Sequence, residues 1–150
     1  MSTPLSLLLA HKGAQVAMIS PEESVAVAVH LMNELHIGAL LVTDDERRPV
    51  GIFTERDLLR RVVGEGIDLM ATPVGKVMTT EVATVSPATS VDEAMRLFME
   101  RRIRHLPVME DGRLAGLISI GDVNRWQLTE REQEARHLRC YIQGDPACAE

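Results

Sequence analysis

Residues 51–61 read Gly-Ile-Phe-Thr-Glu-Arg-Asp-Leu-Leu-Arg-Arg, and residues 116–126 repeat the pattern more loosely as Gly-Leu-Ile-Ser-Ile-Gly-Asp-Val-Asn-Arg-Trp. Each copy opens on a glycine, runs through two apolar residues suited to a buried strand, and reaches a hydroxyl at Thr54 or Ser119. Three positions further on stands an aspartate, Asp57 or Asp122, where the apolar spacing turns helical. Both stretches therefore predict a strand that passes directly into a helix.

Such a junction has two chemical readings. The first helical turn carries unpaired N–H groups and a partial positive charge that suit a phosphate, while the aspartate offers acceptors to a diol such as ribose. Alternatively, a hydroxyl followed three residues later by an acid is how a helix caps itself. One copy alone does not separate these readings.

Working outward, the spacing predicts a short apolar helix over 4–12 closed by Gly13, then a strand over 16–19 entering Ser20-Pro21. A helix begins at Ser24, carries Val25, Ala28, Leu31, Met32 and Leu35 on one stripe, and ends near Gly38. Strands at 39–43 and 50–53 flank a polar turn, and the helix opened by Thr54 runs to about Gly64. After a linker broken by Gly66, Pro73 and Gly75, with a helical turn over 74–78, the order recurs. It comprises a strand at 82–85, a helix from Ser90 with Glu93 in capping-box position, and strands at 106–109 and 114–118.

Shifting the chain on itself by 66 residues pairs Ser20 with Ser86, Pro21 with Pro87, Ser24 with Ser90, Ala28 with Ala94, Ile37 with Ile103 and Val42 with Val108. A one-residue deletion in the turn then pairs Gly51 with Gly116 and Asp57 with Asp122. Self-capping accounts for each hydroxyl-acid pair but not for the shared order of elements, so two related units packed about a pseudo-twofold axis are expected.

With the Ser-Pro breaks, Arg-His-Leu-Pro-Val at 104–108 and both Gly-apolar-apolar-Thr/Ser-x-x-Asp segments, residues 8–126 resemble tandem cystathionine-beta-synthase-type (CBS) domains, the Bateman module. The resemblance implies an α+β fold of two pseudo-twofold-related β-α-β-β-α repeats, each with a three-stranded sheet, followed here by an extended C-terminal helix. On this basis the chain divides into an N-terminal helix (1–12), repeat 1 (13–66), a linker (67–77), repeat 2 (78–126) and a C-terminal helix and tail (127–150). It also implies clefts between repeats for adenosine-containing ligands such as AMP, ADP, ATP, NAD or S-adenosylmethionine, and no obligatory cofactor.

Carried over by position, Thr54 and Asp57 serve one cleft, and Ser119 and Asp122 the other, with the aspartates on ribose and the hydroxyls near phosphate. Ala17, Met18, Ile19, Ala83, Thr84 and Val85 would face the base. The copies differ, since Ile37-Gly38-Ala39-Leu40 corresponds to Ile103-Arg104-His105-Leu106 and Arg56 to Gly121. Arg101, Arg102, Arg104 and His105 with Arg56, Arg60 and Arg61 either converge on phosphates or form a solvated basic surface. Arg56 and His105 are the favoured phosphate contacts.

Composition narrows the function. Aromatics are only 3% of the chain and the formal net charge is -6, which removes both stacking and phosphate neutralisation as means of holding nucleic acid. The apolar run at 5–10 is too short to span a membrane and lacks the basic flank of a secretory signal, so a cytoplasmic protein without membrane contact is expected. Cys140 and Cys148 stand too late in the chain to staple its core. The five histidines include no His-x-x-x-His pair, and no nucleophile elbow or Walker fingerprint occurs, so neither metal binding nor catalysis is expected.

The final helix is expected to continue to about Ile142, stopped by Gly144 and Pro146, with Glu132 and Arg136 paired across one turn. Leu128, Ala135, Leu138 and Ile142 follow coiled-coil-like spacing, which favours a homodimer over a bare amphipathic tail. The reading is a non-enzymatic nucleotide sensor signalling to an unidentified protein target. A ligand-free interaction scaffold is the alternative.

Overall fold

The computed structural model describes residues 3–13 and 15–144. Its elements are α1 (Leu5–Lys12), β1 (Met18–Ile19), α2 (Val25–Leu35), β2 (Ala39–Thr43), β3 (Pro49–Thr54), α3 (Glu55–Asp57), α4 (Val91–Arg101), β4 (His105–Glu110), β5 (Arg113–Ser119) and α5 (Ile120–Gln143). A π-helical stretch, Leu58–Val63, extends α3, and a 3-10 turn, Val74–Lys76, lies in the linker.

Local chemistry sets most boundaries. Ser24 and Ser90 cap α2 and α4 by accepting the N–H of Val27 and Glu93, although the Glu93 side chain does not complete the expected capping box. The α2 helix stops before Gly38, because His36 takes the left-handed conformation at φ 53°, and Arg102 does the same after α4. These caps turn Ile37 and Ile103 back against their own helices through main-chain bonds to Met32 and Phe98.

The first sheet has the order β1-β2-β3, with β1 parallel to β2 and β3 antiparallel to it. In the second repeat β4 and β5 pair antiparallel, and the strand expected at 82–85 is reduced to one parallel bridge between Val85 and Val108. Only the N–H of Met109 and the carbonyl of Pro107 bond Val85, so the resemblance overstates this sheet by one strand. Both hairpins carry a register shift at the corresponding position, after Val42 and after Val108.

Two cores result, and each borrows from outside its own repeat. Leu5, Leu8 and Leu9 of α1 are buried with Val91, Phe98, Leu106 and Ile118, so the first helix completes the second repeat. Main-chain bonds from Leu5 to Thr89 and from Val91 to Thr3 fix it there. Reciprocally, Val74 and Val77 from the linker are buried with Val25, Phe53 and Val62 of the first repeat, held by bonds from Val25 to Thr72 and from Val74 to Glu23.

The glycines that open the two motifs make this exchange possible. A methyl group on Gly51 would stand 2.8 Å from the Thr79 carbonyl oxygen and 2.6 Å from Met78 Sδ, and one on Gly116 would stand 2.6 Å from Leu9 Cδ2. The crossing main chain at Gly51 is pinned by reciprocal bonds between Ile52 and Thr79, both 2.9 Å, whereas Leu9 presents only the tip of a side chain.

The C-terminal helix runs to Gln143 with Gly144 as a left-handed cap, and Pro146 lies outside the described residues. Glu132 and Arg136 form no ion pair. No described helix is long and apolar enough to cross a membrane.

Because backbone cannot yield as a leucine rotamer can, Gly51→Ala should destabilise by about 1 to 3 kcal/mol and Gly116→Ala by clearly less. Chemical denaturation of both variants checks this, and equal losses would contradict the packing account.

Candidate functional site

The strand-to-helix junctions are built alike. Thr54 and Ser119 are extended caps, and their hydroxyls accept the N–H of Asp57 at 3.3 Å and of Asp122 at 3.1 Å. The aspartates reach back to the cap N–H groups, Thr54 to Asp57 at 3.0 Å and Ser119 to Asp122 at 2.8 Å. The next N–H in each helix bonds across the sheet, from Glu55 to the Gly38 carbonyl at 3.0 Å and from Ile120 to that of Arg104 at 2.9 Å. These bonds occupy three of the four donors at each start, leaving the second helical residue, Arg56 or Gly121, as the open one.

The first cleft, about 170 Å³, lies between the repeats. Thr54, Arg56 and Asp57 enter from repeat 1, while Val82, Ala83 and the segment 102–105 enter from repeat 2. Asp57 is only 6% exposed, yet it lines the cleft; its second oxygen accepts the Thr79 hydroxyl at 2.9 Å. Arg56 spans the mouth, donating from Nη1 to the Arg102 carbonyl at 3.1 Å, where α4 ends.

The second cleft, about 720 Å³, is the counterpart with the repeats exchanged. Ser119 and Asp122 come from repeat 2, and Val16, Ala17 and the segment 35–39 from repeat 1. Here the Lys12 ammonium donates to Asp122 at 2.5 Å and to the Leu117 carbonyl at 2.6 Å. Burial alone would raise the Asp122 carboxyl, but the Lys12 bond and the Ser119 hydrogen bonds outweigh it and hold the group below the ordinary carboxylate range.

His105 lines both clefts, at the start of β4 opposite Ser119. Burial lowers its pKa, the nearby cations Lys12 and Arg104 lower it further, and Asp122 opposes them. At neutral pH it is therefore an uncharged imidazole, which corrects the expectation that it brings a positive charge.

Of the residues assigned to the base, Ala17 and Ala83 line the clefts. Met18, Ile19, Thr84 and Val85 do not; Ile19 and Val85 belong to the two cores. Of the arginines, Arg56, Arg102 and Arg104 reach the first cleft. Arg61 instead binds the Val77 and Met78 carbonyls and approaches Asp57 to 3.7 Å, while Arg60 and Arg101 are exposed outside both clefts. Sequence reasoning missed Lys12 and Thr79. The internal repeat did not mark them, because the 66-residue shift sets Lys12 against Met78 and Gly13 against Thr79, and neither Met78 nor Gly13 lines a cleft.

The CBS domain model matches residues 12–64 and again 74–129. A CBS domain-containing mitochondrial protein of Arabidopsis thaliana, CBSX3, is 38% identical over 95% of this chain and 73% of its own length. A CBS-domain containing protein of known structure from Agrobacterium tumefaciens is 39% identical, with a TM-score of 0.80, over 83% of this chain and 99% of that one. A hexameric CBS-CP12 protein from bloom-forming cyanobacteria is 28% identical, with a TM-score of 0.72, over 98% of this chain and 91% of that one. With two matched repeats and a cleft on each side between them, this chain belongs to the CBS-domain family as a paired regulatory module.

Proposed function

We propose that the chain is a non-enzymatic regulatory module that binds an adenosine-containing ligand, of the AMP, ADP, ATP, NAD or S-adenosylmethionine class, and passes its occupancy to a protein partner. The carrying observation is that both capping aspartates line interrepeat clefts, each facing an alanine of the opposite repeat, Ala83 or Ala17. The carboxylates would take the ribose diol, and Arg56, Arg102 and Arg104 would meet phosphate in the first cleft once Arg56 releases the Arg102 carbonyl. A ligand touching both repeats changes how they pack, which is the signal.

The scaffold reading has one observation in its favour, the complete capping boxes at Thr54 and Ser119. Asp→Asn substitutions separate the readings, since an amide oxygen still caps. Asp57→Asn and Asp122→Asn should each weaken AMP binding by about 1.5 to 3 kcal/mol, roughly tenfold to a hundredfold, with the fold retained. Unaltered affinity in calorimetry would leave the aspartates as caps only, and no binding of AMP to the wild type would favour the scaffold.

The neutral His105 gives a pH signature. A bound phosphate raises an imidazole pKa that the empty protein depresses, so the complex holds more protons and AMP affinity rises as pH falls through the window between the two values. Comparison with His105→Gln subtracts the titration of AMP itself. Equal slopes in the two proteins would remove His105 from the phosphate site.

Self-association accompanies this reading. The C-terminal helix exposes Leu128 at 60%, Leu138 at 63% and Ile142 at 81%, a stripe that a second copy would cover in a homodimer. A double substitution, Leu128→Glu with Leu138→Glu, should convert dimer to monomer in sedimentation at micromolar concentration. A wild-type monomer there would sink the assembly.

A further inference from the structure

The two aspartates are held by different chemistry where the pseudo-twofold symmetry breaks. At the first cleft Asp57 Oδ1 accepts the neutral hydroxyl of Thr79, and the half-exposed Arg61 guanidinium, bonded to the Met78 carbonyl, stands 3.7 Å away. At the second the partner is Lys12, the last residue of α1, 34% exposed and paired with an Asp122 that is 13% exposed. This ion pair stands between two cavities. One is the second cleft; the other, of about 420 Å³, lies between α1 and α5 and is also lined by His11, Arg125 and Trp126.

Asp122 Oδ2 already receives the Ser119 N–H and the Lys12 ammonium. A ribose diol that engages both carboxylate oxygens competes with Lys12 for Oδ2, so bidentate binding draws the ammonium away. An unphosphorylated nucleoside would thereby leave an ammonium without its counterion, an expensive state in a partly buried site. A phosphorylated one replaces the lost carboxylate with another anion and a charge-assisted bond. The first cleft imposes no such demand, because the Thr79 hydroxyl has no charge to strand and Arg61 keeps its bond to the Met78 carbonyl and its exposure to water.

The geometry also supplies a reporter. His11, adjacent to Lys12, meets the ring of Trp126 edge-on at 5.8 Å and 73°, and Trp126 Nε1 is buried without a hydrogen-bond partner. Trp126 is the only tryptophan in the chain. We propose that Lys12 is the specificity-determining residue of the second cleft, selecting a phosphorylated nucleoside over its unphosphorylated form, and that movement of its ammonium from Asp122 to phosphate reports occupancy at the joint between α1 and α5. This rests on the nucleoside reading of the cleft.

The test titrates AMP and adenosine into the full chain and into Lys12→Met and Lys12→Arg, following Trp126 fluorescence and calorimetry in parallel. Methionine keeps a straight-chain helix former at the end of α1. The wild type should prefer AMP over adenosine at the Trp126-reported site by about tenfold or more; Lys12→Met should abolish most of that preference by weakening AMP, and Lys12→Arg should keep it. An AMP-to-adenosine ratio unchanged in Lys12→Met, or calorimetric saturation of two sites without change in Trp126 emission, overturns the Lys12 proposal alone. Absence of calorimetric binding of either ligand to the wild type overturns the nucleoside reading and this proposal together.

Discussion

An aspartate that bends back to cap its own helix is the constraint on which the two clefts depend. The carboxylates of Asp57 and Asp122 hold the N–H groups of Thr54 and Ser119, which forces β3 and β5 to turn into helices without an intervening loop. The following N–H is then free to cross the sheet to Gly38 or Arg104, locking each helix start beside the opposite edge of its hairpin. A carboxylate that lines each cleft is thus placed by the same bonds that build the fold.

A second constraint is the exchange of covering segments. Each repeat alone leaves its sheet face open; α1 closes the second and the linker closes the first. Gly51 and Gly116 admit these segments, the first against the Thr79 main chain and the second against the yielding tip of Leu9. The exchange brings Thr79 beside Asp57 and Lys12 beside Asp122, so the chemistry of each cleft is set in part by residues far away in sequence. The pseudo-twofold repeats a scaffold while permitting unlike sites.

Much of this was legible in the sequence because it is local. The hydroxyl-to-aspartate spacing predicts both capping boxes, and strand β2 has the predicted bounds, Ala39–Thr43. The repeat predicts two related units, and the resemblance to tandem CBS domains implies the clefts between them. What escaped depends on tertiary contact. The stretch at 82–85 has strand-like composition, yet only Val85 finds a partner in Val108, since a strand exists only where a neighbour takes its hydrogen bonds. Nothing in the spacing of 4–12 says that its leucines serve the second core rather than the first. Likewise, the burial that leaves His105 neutral arises from both repeats meeting at the start of β4.

The clefts differ in size as well as charge, about 170 Å³ with Arg56 across the mouth against about 720 Å³ beside Lys12. The larger has the volume of a small-molecule site, while an arginine lies across the smaller. A crystal structure of the chain grown with AMP tests the central claim most directly. The account predicts the ribose diol on the carboxylate of Asp122 with the base beside Ala17, and the same arrangement on Asp57 beside Ala83. AMP found outside both clefts, or within them with its ribose turned away from the aspartates, would contradict it.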